Sequence, residues 1–185
     1  MRTVLAVMTG ALLLAGCASD TTTPAGPVAK PDALLEKTVQ REDGSTVSLA
    51  DLTKDGPVVL YLIKEHCSAN SRAIPHINKL YGSFGEKARF VGVATVTPDR
   101  LEAWKKEFGI TFPVTLDPDK TVIDAFGIRY SQTALVLNPD GKPGARHDGY
   151  GIESLTALNK TIAEVSKVPV PEVDLSAAPT VPSYG

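Results

Sequence analysis

The sequence predicts an α/β fold: a three-layer α/β/α sandwich with a central mixed sheet and an N-terminal β-hairpin. Residues 57–63 are continuously apolar, which is typical of a strand covered on both faces. Residues 68–81 carry apolar side chains at helical spacing, and residues 88–95 form a second strand-like run. A strand, a helix and a strand in this order form a right-handed parallel crossover. Hairpin signals before and after this unit add antiparallel strands, so we expect a mixed sheet with helices on both faces.

The first of these hairpins lies ahead of the crossover. Residues 38–41 and 46–48 are β-prone, and Asp43-Gly44 between them is a strong signal for a tight turn. Residues 49–54 are expected to be a short connector that leads into the first buried strand.

The next helix is expected to begin near Thr97. Thr97 suits the N-cap and Pro98 suits the first helical position. Leu101, Trp104 and Phe108 follow at helical spacing, so we expect Trp104 to pack in the core rather than to bind a ligand.

The last part of the domain is expected to form a second hairpin and a closing helix. Residues 133–137 are a third buried strand, and the Asn-Pro-Asp-Gly run at 138–141 turns the chain back. Residues 152–165 again show helical spacing of apolar side chains. The shorter expected elements are an extended piece at 112–114, a helix at 120–126 and a returning strand at 144–147.

Four segments are expected along the chain. They are a lipoprotein signal peptide at 1–16, a lipidated Cys17 with a flexible tether at 17–31, the α/β domain at 32–167 and a Pro-rich tail at 168–185. The run Leu-Ala-Gly-Cys that ends at Cys17 resembles the lipobox of bacterial lipoproteins. The resemblance implies a lipid on Cys17. Ala18 follows instead of Asp, which by analogy with lipoprotein sorting favours the outer membrane, with the domain facing the periplasm.

Composition excludes some partners and sets the redox setting. The formal net charge is −2 and the basic residues are scattered, so we expect no binding to nucleic acid. Export would place the domain in an oxidising compartment. The chain has two cysteines, and a lipid on Cys17 would leave Cys67 as the only free thiol.

Cys67 is the candidate nucleophile. It follows the first buried strand by four residues, and reactive groups collect at the carboxyl ends of central strands in open α/β sheets. A helix beginning beside it would present unpaired N–H groups and favour the thiolate. Lys64 and His66 would add to this effect if they point inward. The alternative is an inert cysteine buried in the core.

Pro75 stands eight residues after Cys67, inside the expected helix. A strand, then Cys, then Pro at this spacing resembles the thioredoxin superfamily, and most closely its redoxin branch, the AhpC/TSA (peroxiredoxin-like) family. The resemblance covers about residues 38–165. Six stretches in the right order carry it: 44–52, 57–62, 90–94, 112–117, 125–128 and 134–141.

The sequence departs from this family at several functional positions. A thioredoxin-type dithiol would have a second Cys at the position of Asn70, and an amide can hydrogen-bond a thiolate but cannot resolve a mixed disulfide. Ser131-Gln132 stands where the superfamily has a cis-proline, so we expect a trans bond there. Leu60 and Lys64 occupy the Pro and Thr positions of a typical peroxide site. Arg129 and Arg72 are equal candidates for the family's peroxide-binding arginine, or else surface charges.

Three functions are consistent with these residues. The first is a single-thiol redox protein in which Cys67 attacks a disulfide or a peroxide, Asn70 and His66 tune the thiolate, Arg129 contributes to binding, and an external thiol reductant resolves the product. The second is a degenerate redoxin domain that serves as a non-catalytic binding or scaffold lipoprotein. The third, metal delivery, would need Cys67, His66 and His147 together, because His76 would point away. We expect no cofactor and no resident metal.

Overall fold

The computed structural model describes residues 28–184. The expected signal peptide, the lipobox with Cys17 and most of the tether lie outside the described residues. Within the described range, no helix is both long enough and apolar enough to cross a membrane.

A seven-stranded mixed sheet forms the centre of the domain, in the order β2-β1-β5-β4-β3-β6-β7. Strand β3 pairs in parallel with β4 and antiparallel with β6, and the N-terminal hairpin joins the sheet by pairing β1 with β5. The strands are β1 (Thr38–Arg41), β2 (Thr46–Ser48), β3 (Val58–Ile63), β4 (Phe90–Ala94), β5 (Val114–Leu116), β6 (Thr133–Leu137) and β7 (Pro143–Asp148). The helices are α1 (Pro31–Leu35), α2 (Leu49–Thr53), α3 (Asn70–Phe84), α4 (Leu101–Phe108), α5 (Thr121–Ala125) and α6 (Ile152–Ser166).

Strand β3 separates two hydrophobic cores, and all six of its residues are buried. Because side chains alternate along a strand, Tyr61 and Ile63 face the core under α3, α4 and α6, whereas Leu60 and Leu62 face the core under α1, α2 and α5. This double coverage explains the uninterrupted apolar run in the sequence. The predicted sandwich, with helices on both faces of a mixed sheet and a hairpin at its start, is confirmed.

Element boundaries differ from the expectations in three places. Helix α3 begins at Asn70 instead of residue 68, and it runs on to Phe84. The expected connector at 49–54 contains helix α2, which is capped by the hydroxyl of Ser48 accepting the N–H of Asp51 at 3.0 Å. Helix α4 is preceded by a short 3₁₀ turn at Pro98–Arg100, and the side chain of Thr97 makes no capping hydrogen bond.

Trp104 lies in the core, as its helical spacing predicted. Its side chain is only 2% exposed, and its ring packs edge-on against Phe108 at a centroid distance of 5.8 Å. Helix α4 therefore seals one end of the larger core, next to the loop that follows β3.

The Pro-rich segment after α6 has no helix or strand, but it packs against the domain. Leu175 and Ala178 are buried in the larger core. The N–H of Ile152 donates to the carbonyl of Pro179 at 2.8 Å, and Tyr150 and Ser183 exchange a pair of backbone hydrogen bonds at 2.9 Å. We call residues 168–184 the C-terminal strap, because they cross α3 and α6 and end beside the loop before β6.

Candidate functional site

Cys67 lies in a tight turn between β3 and α3, at the carboxyl end of the central strand. Its N–H donates to the carbonyl of Lys64 at 3.2 Å, and its own carbonyl accepts the N–H of Asn70 at 3.1 Å. The turn places Cys67 three residues before the helix, not at its first residue. One backbone donor reaches the sulfur: the N–H of Ala69 lies 3.4 Å from Sγ. The sequence predicts several helix N–H groups facing the thiol. The structure shows one such contact, from the N–H of Ala69.

The half-buried thiol opens into two cavities. The first, of about 290 Å³, lies toward α4 and is walled by Arg100, Trp104 and Phe108. The second, of about 470 Å³, lies toward the loops before α5 and β6 and is walled by Lys64, Lys120 and Arg129, among others. Cys67 is thus neither sealed in the core nor fully exposed, and a ligand can approach it from two sides.

Asn70 fixes the turn and does not contact the sulfur. Its side chain is completely buried, and Nδ2 donates to the carbonyls of Lys64 at 3.1 Å and Glu65 at 3.0 Å. Both amide protons are taken by the main chain, so none remains for the thiolate. The structure therefore gives Asn70 the part of a positioning residue that holds the segment before Cys67.

Gln132, in the loop just before β6, completes this network. Its φ of +64° lies in the left-handed region, which a non-glycine residue rarely adopts. Its Nε2 donates to Oδ1 of Asn70 at 2.5 Å, and its Oε1 accepts the phenolic O–H of Tyr61. Burial, followed by the charges of Cys67 and Tyr150, raises the pKa of Tyr61 well above its usual value, so this phenol stays a donor. None of the described peptide bonds is cis, in agreement with the trans bond expected before Gln132.

Two hydroxyl groups hold the backbone on either side of this network. The N–H of Lys64 donates to Oγ of Ser131 at 2.9 Å, and the N–H of Glu65 donates to Oγ1 of Thr95 at 2.9 Å. The loop before β6 and the end of β4 therefore both support the turn that carries Cys67.

The charged candidates are distributed unevenly around the thiol. His66 lines both cavities, but its ring is 79% exposed and its nearest charged partner is Glu65, at 3.6 Å. Arg129 is exposed and shares the larger cavity with Cys67. Arg72 instead faces another cavity, beside Tyr150 and the C-terminal strap. Of the two arginines, Arg129 lines a cavity together with Cys67, whereas Arg72 lines a different cavity.

The metal-delivery set is not brought together. His147 lies on β7, where its Nε2 contacts Oγ1 of Thr161 at 2.9 Å, and burial lowers its pKa. Within residues 28–184, no group of three metal-ligating side chains is assembled. His76 packs against Tyr150 instead, with 6.3 Å between the ring centroids.

The residues at the positions of a typical peroxide site have structural roles in this protein. Leu60 is fully buried in the smaller core. The ammonium group of Lys64 donates a hydrogen bond to the carbonyl of Arg129, which holds the loop before β6.

Sequence reasoning missed Glu65, whose carboxylate is 9% exposed and lies 3.1 Å from the Arg100 guanidinium. Only its place two residues before Cys67 could have pointed to it.

A half-buried free cysteine after the central strand of a three-layer α/β fold defines a candidate thiol site. The chain belongs to the AhpC/TSA family, whose model matches residues 31–143. The thiol-disulfide oxidoreductase ResA from Halalkalibacterium halodurans is 30% identical over 109 residues, which are 58% of this chain and 61% of that protein. The chain therefore spans about three fifths of the length of this curated relative.

Solved structures share the same architecture. A protein from Bacteroides thetaiotaomicron assigned as a protein disulfide isomerase has a TM-score of 0.62 at 22% identity, covering 78% of this chain and 91% of its own. A protein from Chlorobium tepidum assigned as the thiol:disulfide interchange protein DsbE has a TM-score of 0.57 at 22% identity, covering 70% and 92%. These similarities confirm the predicted thioredoxin-like fold.

Proposed function

We propose that this chain is an envelope-anchored redox protein that exchanges disulfides through one thiol, Cys67. The observation that carries the proposal is the position of its Sγ. The sulfur lies at the carboxyl end of the central strand, accepts the N–H of Ala69 at 3.4 Å and opens into two cavities. The N–H of Ala69 therefore lies where it can donate to the thiolate, which is the form of a cysteine that attacks a disulfide.

The exchange needs one protein thiol and one external thiol. The Cys67 thiolate attacks one sulfur of a target disulfide, which forms a mixed disulfide and releases the other sulfur as a thiolate. The chain has no further cysteine apart from Cys17. A second thiol, from a partner protein or a small molecule, therefore attacks the mixed disulfide and returns Cys67 to its thiolate form.

The buried network supports this function by holding the nucleophile in one place. Asn70 and Ser131 bind the backbone just before Cys67, and Gln132 binds Asn70. A site positioned by buried, hydrogen-bonded side chains loses little freedom when it reacts. In this proposal Asn70 is a positioning residue, while His66 and Arg129 contribute charge at the rims of the cavities.

A disulfide fits the site better than a peroxide. The threonine position of a peroxide site is Lys64, whose N–H and ammonium are both committed to the loop before β6. Peroxide reduction would yield a sulfenic acid on Cys67, and this product separates the two reactions.

Anchoring is part of the proposal and depends on the sequence alone. The lipobox-like run ending at Cys17 would attach the protein to the outer membrane, with the domain facing the periplasm. Metabolic labelling with palmitate tests it. We expect label on the wild-type chain and none on Cys17→Ser. Unlabelled wild-type protein would contradict the lipid anchor without affecting the redox proposal.

The redox proposal is tested on the full chain with an aromatic disulfide reagent and with hydrogen peroxide. We expect the wild-type protein to form a mixed disulfide at neutral pH faster than its urea-unfolded form does, and to give little sulfenic acid with peroxide. Cys17→Ser should react as the wild type, whereas the double variant of Cys17→Ser and Cys67→Ser should form neither product. If folded Cys67 reacts no faster than unfolded Cys67, and Cys67→Ser retains its role in cells, the scaffold alternative replaces this proposal.

A further inference from the structure

Two residues that line the cavity on the α4 side of Cys67 each have a buried polar atom without a hydrogen-bond partner. One is Nε1 of Trp104, whose side chain is 2% exposed, and the other is Oε1 of Glu65. The Arg100 guanidinium lies 3.1 Å from this oxygen, but the contact is an ion pair and is not aligned as a hydrogen bond. An unsatisfied buried polar group carries a desolvation penalty, so each of these two atoms calls for an explanation.

The chemistry of the two atoms defines what would satisfy them. An indole N–H only donates, and a carboxylate oxygen only accepts. Arg100 adds a cation and Glu107 adds an anion, and both line the same cavity of about 290 Å³. A ligand that carries a carboxylate and an ammonium together complements all four groups.

We infer that this cavity binds the α-amino-carboxylate group of a small thiol or disulfide and positions its sulfur against Cys67. The carboxylate is received by Trp104 and Arg100, and the ammonium by Glu65 and Glu107. This inference rests on the proposed function, and it names the external thiol that a single-cysteine protein requires. Free cysteine and γ-glutamyl thiols such as glutathione both carry this group.

A peptide chain does not meet the same requirement. In a protein, the amino and carboxyl groups of a cysteine are tied up in amide bonds and carry no charge. The paired charges of Glu65 and Arg100 therefore favour a small thiol over a protein disulfide on this side of Cys67. The larger cavity, with Lys64, Lys120 and Arg129, remains open to the other partner.

The reaction in the cavity is a balanced exchange. The Cys67 thiolate attacks one sulfur of the small disulfide; the new bond joins Sγ to that sulfur, and the other sulfur leaves as a thiolate that takes a proton from water. Cys67 is oxidised and the leaving sulfur is reduced. A second small thiol, as its thiolate, then attacks the bound sulfur, forms the small disulfide again and releases the Cys67 thiolate.

The test compares disulfides on the full chain with Cys17→Ser as background. The probes are cystine, oxidised glutathione, N,N′-diacetylcystine without an ammonium, and the neutral hydroxyethyl disulfide. The rate of mixed-disulfide formation is measured by mass spectrometry and divided by the rate of the same probe with N-acetylcysteine. We expect cystine or oxidised glutathione to exceed both the diacetylated and the neutral probe by about tenfold, the effect of one charge-assisted hydrogen bond.

Matched variants on α4 and on the 3₁₀ turn before it localise the effect. Arg100→Gln and Trp104→Phe should abolish most of this preference, measured as the ratio of the rate with the charged probe to the rate with the neutral probe. Lys106→Gln removes the same charge from an exposed position outside the cavity and should keep the preference. A faster reaction of cystine identifies the free amino acid as the source, and a faster reaction of oxidised glutathione identifies the γ-glutamyl group.

Two outcomes overturn the inference in different ways. If all probes react at equal normalised rates, the amino-carboxylate site is wrong and the single-thiol function stands. If Cys67 reacts with none of them, the proposed function fails together with this inference.

Discussion

Gln132 donates a 2.5 Å hydrogen bond to Oδ1 of Asn70, and neither side chain reaches solvent. The two residues are 62 positions apart in the chain, and they join the loop before β6 to the first turn of α3. In the thioredoxin superfamily, which this chain resembles, a second cysteine would stand at the position of Asn70 and a cis-proline at Ser131-Gln132. In this chain, the hydrogen bond between Gln132 and Asn70 holds the turn that carries Cys67 instead.

Gln132→Ala tests how much the hydrogen bonds of Gln132 contribute to stability. The substitution leaves Oδ1 of Asn70 and the hydroxyl of Tyr61 without their partner in a buried site. We expect the free energy of unfolding to fall by about 2–4 kcal/mol, since each orphaned group costs about 1–3 kcal/mol. Urea unfolding measures the loss. Gln40→Ala, which removes an exposed amide bonded to the carbonyl of Gly44, should change stability by less than about 0.5 kcal/mol. Equal losses would show that the buried network contributes nothing.

The C-terminal strap should stabilise the domain through few contacts. Leu175 is buried in the larger core, whereas Val181 is 73% exposed. Leu175→Ala is therefore expected to lower the free energy of unfolding by about 2–3 kcal/mol, as for other large-to-small changes in a core, and Val181→Ala by almost nothing. If both variants unfold at the same urea concentration as the wild type, the strap is not part of the cooperative unit.

Gly141 and Gly82 should respond to alanine in opposite ways. Gly141 has φ +75°, and a Cβ there would lie 2.4 Å from the carbonyl oxygen of Pro31, at the start of α1. Gly82 lies inside α3, where a Cβ would meet nothing within 4 Å. We expect Gly141→Ala to destabilise the protein by at least about 1 kcal/mol and Gly82→Ala to stabilise it by about 0.5–1 kcal/mol. Thermal unfolding checks both signs, and a stabilising Gly141→Ala would contradict the close approach.

Stability should fall on mild acidification because of His147. Its pKa is lowered by burial, against a smaller opposing effect of Asp148, so the unfolded chain binds a proton more readily than the folded one. The contribution is complete above the unfolded value of about 6.5 and is lost as the pH falls through the folded pKa. Urea unfolding between pH 8 and pH 5 should show this decline, with a shallower slope in His147→Gln.

His76 adds to the same decline, because burial and then the charge of Lys79 lower its pKa as well. The double variant of His76→Gln and His147→Gln should therefore have the flattest profile in this range. An identical slope in the wild type and the double variant would show that neither histidine controls the acid sensitivity.

The sheet could be predicted from the sequence because its signals are local. The continuous apolar run of β3 and the Asp43-Gly44 turn each specify an element within a few residues. Helix α2 was missed because five residues carry too little periodicity, although Ser48 and Asp51 form its cap. The start of α3 moved because Cys67 and Asn70 close a separate turn before the helix.

The rest of the site depends on contacts between distant parts of the chain. Nothing near Asn70 in the sequence indicates that its amide is bound on one side by Gln132 and on the other by the carbonyls of Lys64 and Glu65. The prolines of the strap suggest a segment without regular structure, and its described residues contain no helix or strand. They did not show that the side chain of Leu175 would be buried in the core.

The two amide protons of Asn70 have a consequence for engineering. Replacing this residue by cysteine would introduce a second sulfur, but it would also remove the donors that two main-chain carbonyls now receive. A thiol is too weak a donor to replace them. Conversion of this chain into a dithiol enzyme therefore needs compensating changes around the turn, because the Asn70→Cys substitution alone would leave two buried carbonyls without their donors.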